Sequence, residues 1–154
     1  MKSYILNMKP MPAPRMTQQD RWGKRPVVIR YKAFRQELVF RAKKQGLVQL
    51  PAVMGFEFVF PMPPSWSKRK KDEYRGQIHQ QRPDLDNLIK AVKDSMTYGS
   101  GDDSHMGTYL FAQKKWGDVG RITLVVPEPK TDNWVEHLIK RFTNLVLEST
   151  KNSD

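Results

Sequence analysis

The chain has 154 residues, 38% of them hydrophobic and 28% charged. That length supports one ordinary core and argues against two independent ones. No apolar run is long enough to span a bilayer, and MKSYILNMKPMP lacks the apolar stretch of a signal peptide. Without cysteine there is no disulfide framework and no thiolate metal site. These features predict a cytoplasmic protein with no membrane partner. The net charge of +11 favours polyanions, because each phosphate neutralised releases counterions. A solubility adaptation and a structural basic protein are the alternatives.

SYILNM alternates and predicts a first strand, ending at KPMPAPR, where three prolines in five residues force an extended segment or turn. TQQDRWGKRP, residues 17–26, is polar and basic and predicts a loop. Tyr31 to Lys44 predicts a helix: Tyr31, Phe34, Leu38 and Ala42 recur at helical spacing, and Gly46 stands where a C-terminal cap belongs. VMGFEFVFPMP predicts an apolar strand stopped by Pro61. The stretch that follows, up to Arg82, is long, polar and cationic. It predicts a loop-like basic flap over about residues 64–82, with Lys68, Arg69, Lys70, Lys71, Arg75 and Arg82 facing a nucleic-acid backbone. A solvated flap that touches nothing is the bland alternative.

RPDLDNLIKAVKDSM, residues 82–96, predicts a helix with Asp84 at or near its N-cap, since Pro83 holds Arg82 extended. Leu85, Leu88, Ile89, Val92 and Met96 form the buried stripe, and Asp86, Lys90 and Asp94 a polar one beside it. Next come GSGDDS, with Asp102 and Asp103, and then GTYLFAQKKW and GRITLVVPE, which predict a hairpin joined by Gly117 to Gly120. After a linker, Asn133 and Glu136 suggest a capping box. A C-terminal amphipathic helix is predicted from Trp134 to about Glu148, with Val135, Leu138, Phe142 and Leu145 on one stripe. The domain expected is thus residues 1–128, with 129–154 as linker and added helix.

Acid at a helix start is often structural, complementing exposed N–H groups and the helix dipole, and Lys90 with Asp86 and Asp94 would make ordinary i,i+4 pairs. A second acidic pair after the helix raises another possibility. If that turn returns to the helix mouth, three carboxylates converge, and a divalent cation is the simplest way to hold them together in a basic protein. All-oxygen ligands suit Mg²⁺, with Mn²⁺ as the alternative. An EF-hand fails for want of the turn glycine and the closing Glu. His79, His105 and His137 are scattered. His105 could touch a bound water or a phosphate, but an ordinary surface histidine is the simpler reading.

RPDLDNLIKAVKDSM followed by GDDS resembles the signature of the RusA-type endodeoxyribonucleases, the Holliday junction resolvases of bacteria and their phages. The resemblance runs from about Tyr4 to Val126. It implies an α/β (α+β) homodimer, with a small mixed sheet packed with helices, that cuts branched, four-way DNA with Mg²⁺ in recombination and repair. The setting it implies is the cytoplasm of a bacterial or phage-infected cell. By the same resemblance, Asp84, Asp86 and Asp103 are metal carboxylates and Lys90 is the catalytic lysine. Asn87, Asp94 and Asp102 are supporting positions, and Asp102 is an alternative third ligand, because Gly99-Ser100-Gly101 and Ser104-His105-Met106 depart from the family's usual flanks. The added C-terminal helix lies beyond the shared core and is expected to extend a dimer, cover the sheet or bind another protein. A catalytically inert branched-nucleic-acid-binding module and a metal-dependent nuclease of other nucleic acids stay open as alternatives.

Overall fold

A computed structural model describes residues 1–21, 25–98, 104–128 and 137–144. Its elements are β1 (Lys2–Leu6), a 3-10 turn (Gln18–Arg21), α1 (Pro26–Lys44), β2 (Val53–Pro61), α2 (Lys68–Tyr74), α3 (Leu85–Met96), β3 (Thr108–Gly117) and β4 (Arg121–Val126). The fold is α+β: four strands form one mixed sheet in the order β1-β4-β2-β3. Residues 137–144 are helical, within the predicted C-terminal helix, whose other residues lie outside those described.

Strand β2 occupies the interior of the sheet because its sequence leaves it no other place. Met54, Gly55, Phe56, Phe58, Val59 and Phe60 are all buried, so both faces of the strand are covered. It pairs parallel with β3 and antiparallel with β4, while β1 closes the far side against β4. The predicted β3–β4 hairpin is therefore wrong. The two strands are joined by a short turn, but β2 lies between them. The turn crosses the end of β2 at close quarters. A Cβ on Gly117 would sit 2.4 Å from Val59 Cγ1, and one on Gly120 would sit 2.7 Å from Lys9 Cα. These glycines serve a backbone crossing, not a hairpin bend.

Helix α1 starts five residues earlier than the apolar spacing predicts. Pro26 takes the first helical position, where its missing N–H costs nothing. Its buried residues are Val28, Tyr31, Phe34, Leu38 and Ala42. The other end has the predicted cap: Gly46 is at φ +93°, its N–H donates to Lys43 O, and Leu47 N–H donates to Ala42 O. Residues 17–21, expected to be plain loop, hold the 3-10 turn and a buried carboxylate, Asp20, paired with the half-exposed Arg25. The Asp20 side chain is 2% exposed and accepts from Arg25 Nε and Nη2 at 2.6 Å each and from the Thr17 N–H at 2.7 Å. This turn joins the proline-rich segment to the start of α1.

The hydrogen bonds from Arg25, then that from the Thr17 backbone, hold the Asp20 carboxyl far below the usual carboxylate range. A depressed folded pKa stabilises above the unfolded value of about 3.9 and loses that effect as pH falls. The difference in urea midpoint between wild type and Asp20→Asn should thus be constant from about pH 8 to 5, begin to narrow near pH 4 and still be narrowing at about pH 2. Urea titrations at each pH check this.

Candidate functional site

Helix α3 carries the predicted acidic motif. Leu88, Ala91 and Val92 are fully buried, and Ile89 and Ser95 nearly so. The small side chains of Ala91 and Ser95 permit close packing, with Ser95 Oγ donating to Ala91 O at 2.6 Å. A stripe buried this completely fixes the rotation of the helix and turns Asp86 and Lys90 to solvent.

Asp84 is the N-cap residue, extended at φ −70° and ψ 144°, yet its side chain makes no capping bond. Asp normally caps because its oxygen satisfies a free N–H of the first turn. Here both Asp84 and Asp86 are exposed, and among the described residues neither carboxylate has a hydrogen bond or ion pair. Lys90 is likewise exposed and makes no ion pair among the described residues, so the i,i+4 pairs of the purely structural alternative are not formed. Two carboxylates and an ammonium stand uncommitted on the first turns of one well-anchored helix.

Asp94 has a different job. It accepts from Tyr31 Oη at 3.2 Å and ties α3 to α1. Burial, then the Asp94 charge, pushes the Tyr31 hydroxyl well above its usual range, so it remains a donor. Asn87 supports the helix start through its backbone carbonyl, which accepts from Ala13 N–H at 3.2 Å and docks the proline-rich segment on α3. Asp102 and Asp103 lie outside the described residues. No group of three potential metal ligands occurs among the described residues. The oxygen-only donors and free valences of Asp84 and Asp86 nonetheless fit a hard divalent cation, each as a partial ligand set.

The flap is partly helical. Ser67 caps α2, its side chain accepting from Lys70 N–H at 3.2 Å. Residues 68–74 bury no side chain, so no apolar periodicity could have revealed this helix. An aromatic cluster anchors it: Trp66 lies 5.1 Å from Tyr74 and 4.9 Å from Trp116, with Lys70 Nζ 4.3 Å above Trp66. His79 is 3% exposed and packs 4.1 Å from Trp116 and 4.6 Å from Phe60. Burial, then the Lys114 charge, lowers its pKa. His105, for its part, bonds Leu50 O through Nε2 at 2.8 Å.

The expected row of basic flap residues is uneven. Arg75 is fully engaged, with Nε and Nη2 on Asp118 at 2.8 and 3.0 Å and Nη1 on Asp72 at 2.8 Å. It latches the flap to the β3–β4 turn. Lys68 and Arg69 are exposed and make no ion pair among the described residues. Arg82 lines a cleft of about 510 Å³ together with Lys9 and Arg30, over a floor that includes Met11, Phe34 and Phe60. The composition of the proline-rich segment did not mark Lys9, nor that of α1 Arg30. They join Arg82 only through the fold.

Because Asp84 caps nothing, it should be dispensable for folding. Asp84→Asn should keep Tm within about 2 °C of wild type, short of the ~1 kcal/mol that a lost N-cap bond costs. Thermal melts in chelator, without divalent ions, measure this.

Comparison with known proteins gives one family: the family model for endodeoxyribonuclease RusA matches residues 7–127. No curated protein matches the chain.

Proposed function

Because the chain belongs to the endodeoxyribonuclease RusA family, we propose that it is a structure-selective endonuclease that resolves four-way DNA junctions by paired incision. The observation that carries this reading is the pair of carboxylates on the first turn of α3 that neither cap the helix nor pair with a cation among the described residues. A basic protein with spare charge at every turn leaves these two acids unneutralised. That is expected of residues kept for a bound ion and not for stability.

Asp84 and Asp86, with Asp103 as the third carboxylate and Asp102 as its alternative, would hold Mg²⁺, or Mn²⁺ in its place. When bound there, the ion would supply a water of lowered pKa and positive charge for a phosphoryl oxygen. Lys90, one turn beyond Asp86, offers an ammonium to the charge that builds on the phosphorus in the transition state. Lys9, Arg30 and Arg82 line the cleft at the helix mouth and suit the approaching backbone, and Lys68, Arg69 and Lys71 extend the cationic surface onto the flap. A two-fold homodimer would set two such sites against symmetry-related strands, which is what paired incision requires. Residues 1–128 would form this endonuclease unit. The C-terminal helix would add a surface for the dimer or for a protein partner. No described helix is long and apolar enough to cross a membrane, and the cytoplasm of a bacterial or phage-infected cell is the setting we infer. Recombination and repair of DNA are the processes that would use this activity.

Asp86→Asn should cut a labelled four-way junction at least about 10²-fold more slowly while binding it as tightly as wild type or more so, because a carboxylate facing the phosphate is lost. Cleavage time courses beside gel-shift titrations test both halves. Wild-type cutting by this variant would remove the metal-site reading, and equal cutting of linear duplex would favour a nuclease of broader range. Binding without cutting under any divalent ion would favour the inert module.

The flap separates two kinds of arginine. Arg69→Ala should reduce the slope of log Kd against log salt by about 1, whereas Arg75→Ala should leave that slope unchanged, its guanidinium being spent on Asp118 and Asp72. Junction titrations across a salt series distinguish them.

A further inference from the structure

Strand β3 does more than close the sheet. Past its buried neighbour β2, its outer edge receives the end of the flap. Gly76 N–H donates to Trp116 O, Trp116 N–H to Gln77 O, and His79 N–H to Lys114 O, each at 2.9 Å, with an isolated antiparallel bridge between Ile78 and Lys115. The flap's return is thereby laid along β3. Successive β3 residues point to opposite faces. Lys115 reaches Glu57 at 3.2 Å on one face. Lys114 turns the other way, and its Nζ donates to the carbonyls of Gln81 and Pro83, the latter at 2.6 Å. Pro83 is the residue immediately before Asp84.

We propose that Lys114 is a positioning residue of the active site: by clamping the Gln81 and Pro83 carbonyls it fixes the entry into α3 and thereby the aim of Asp84 and Asp86. The inference rests on the metal-dependent nuclease reading above. It goes beyond the acidic motif, because Lys114 lies outside that motif, on another element. Two observations carry it. First, the clamp grips backbone on the N-terminal side of an N-cap residue that has no side-chain bond of its own to hold it. Asp84 therefore depends on its neighbours for orientation. Second, Lys114 makes no ion pair with a carboxylate among the described residues. Among the described residues its ammonium is given to these two backbone carbonyls. Lys114 touches no reacting atom in this scheme. It acts through Asp84.

The test compares Lys114→Met, Lys114→Arg and Lys114→Gln in the full chain. Mn²⁺ binding is measured by calorimetry without DNA, junction binding in chelator, and junction cleavage across a Mg²⁺ series. Lys114→Met should weaken Mn²⁺ binding and raise the Mg²⁺ needed for half-maximal cleavage by about 10–100-fold, the usual effect of losing a partner that orients a metal ligand. Its junction affinity in chelator should stay within about 2-fold of wild type, because Lys114 contacts protein backbone and not the DNA. Lys114→Arg should recover most of the loss, and Lys114→Gln should fall between. Wild-type Mn²⁺ affinity and Mg²⁺ response in Lys114→Met would overturn the proposal. So would Arg and Gln variants no better than Met, including the case in which Met fails to fold. A wild-type chain that binds no Mn²⁺ and cuts nothing would instead overturn the parent reading, and this proposal with it.

Discussion

The arrangement turns on the need to bury both faces of β2. Nine residues, Val53–Pro61, include three phenylalanines that must be kept from water on one side and a glycine and valine buried on the other. A strand like this cannot sit at an edge, where one row of backbone groups and part of each face stay wet. With β2 inside, β4 and β3 must flank it. The chain can connect those two only by passing over the end of β2, which is where Gly117 and Gly120 are needed. Strand β3 then becomes an edge, and the returning flap pairs with part of that edge, from Lys114 to Trp116. The helix that follows the flap begins where β3 can grip it. The position of the acidic residues thus follows, step by step, from hydrophobic burial two strands away.

Much of this was legible in the residues. Tyr31, Phe34, Leu38 and Ala42 mark α1, and its glycine cap is visible at Gly46. The spacing of Leu85, Leu88, Ile89 and Val92 sets which face of α3 is buried, and so which way Asp86 and Lys90 point. What could not be read is strand order. Local patterning says that GTYLFAQKKW and GRITLVVPE are strands joined by a short glycine turn. Adjacent pairing is the default for such a turn, and only the demand of β2 for two neighbours overrides it. Helix α2 escaped for the opposite reason: it buries nothing, so its signal lies in the Ser67 cap and in Trp66, neither of which is periodic. The third carboxylate expected at Asp103 lies outside the described residues.

Sequence motif and structure also divide the charged residues differently. In the motif, Asp94 belongs with the other acids of the helix. In the fold it accepts from Tyr31 and serves helix packing. Among the flap cations, Arg75 reads as one more phosphate ligand, yet it is tied to Asp118 and Asp72. Glu57 gives a third example. Burial tends to raise its carboxyl, but hydrogen bonds from Lys115 and Gln113 outweigh this and hold it below the usual range. A count of charges gives the net field that attracts a polyanion. Only the partners of each charge say which of them remain to meet it.

The aromatic cluster under the flap has an optical consequence. Trp66 belongs to the flap and Trp116 to the sheet, their rings 4.9 Å apart, with the imidazole of His79 against Trp116. Any motion that lifts the flap off β3 separates the two indoles and admits water between them. Indole emission shifts with the polarity of its surroundings, so the molecule carries its own reporter of flap position. Opening and closing on a DNA strand could be followed in real time without attaching a dye.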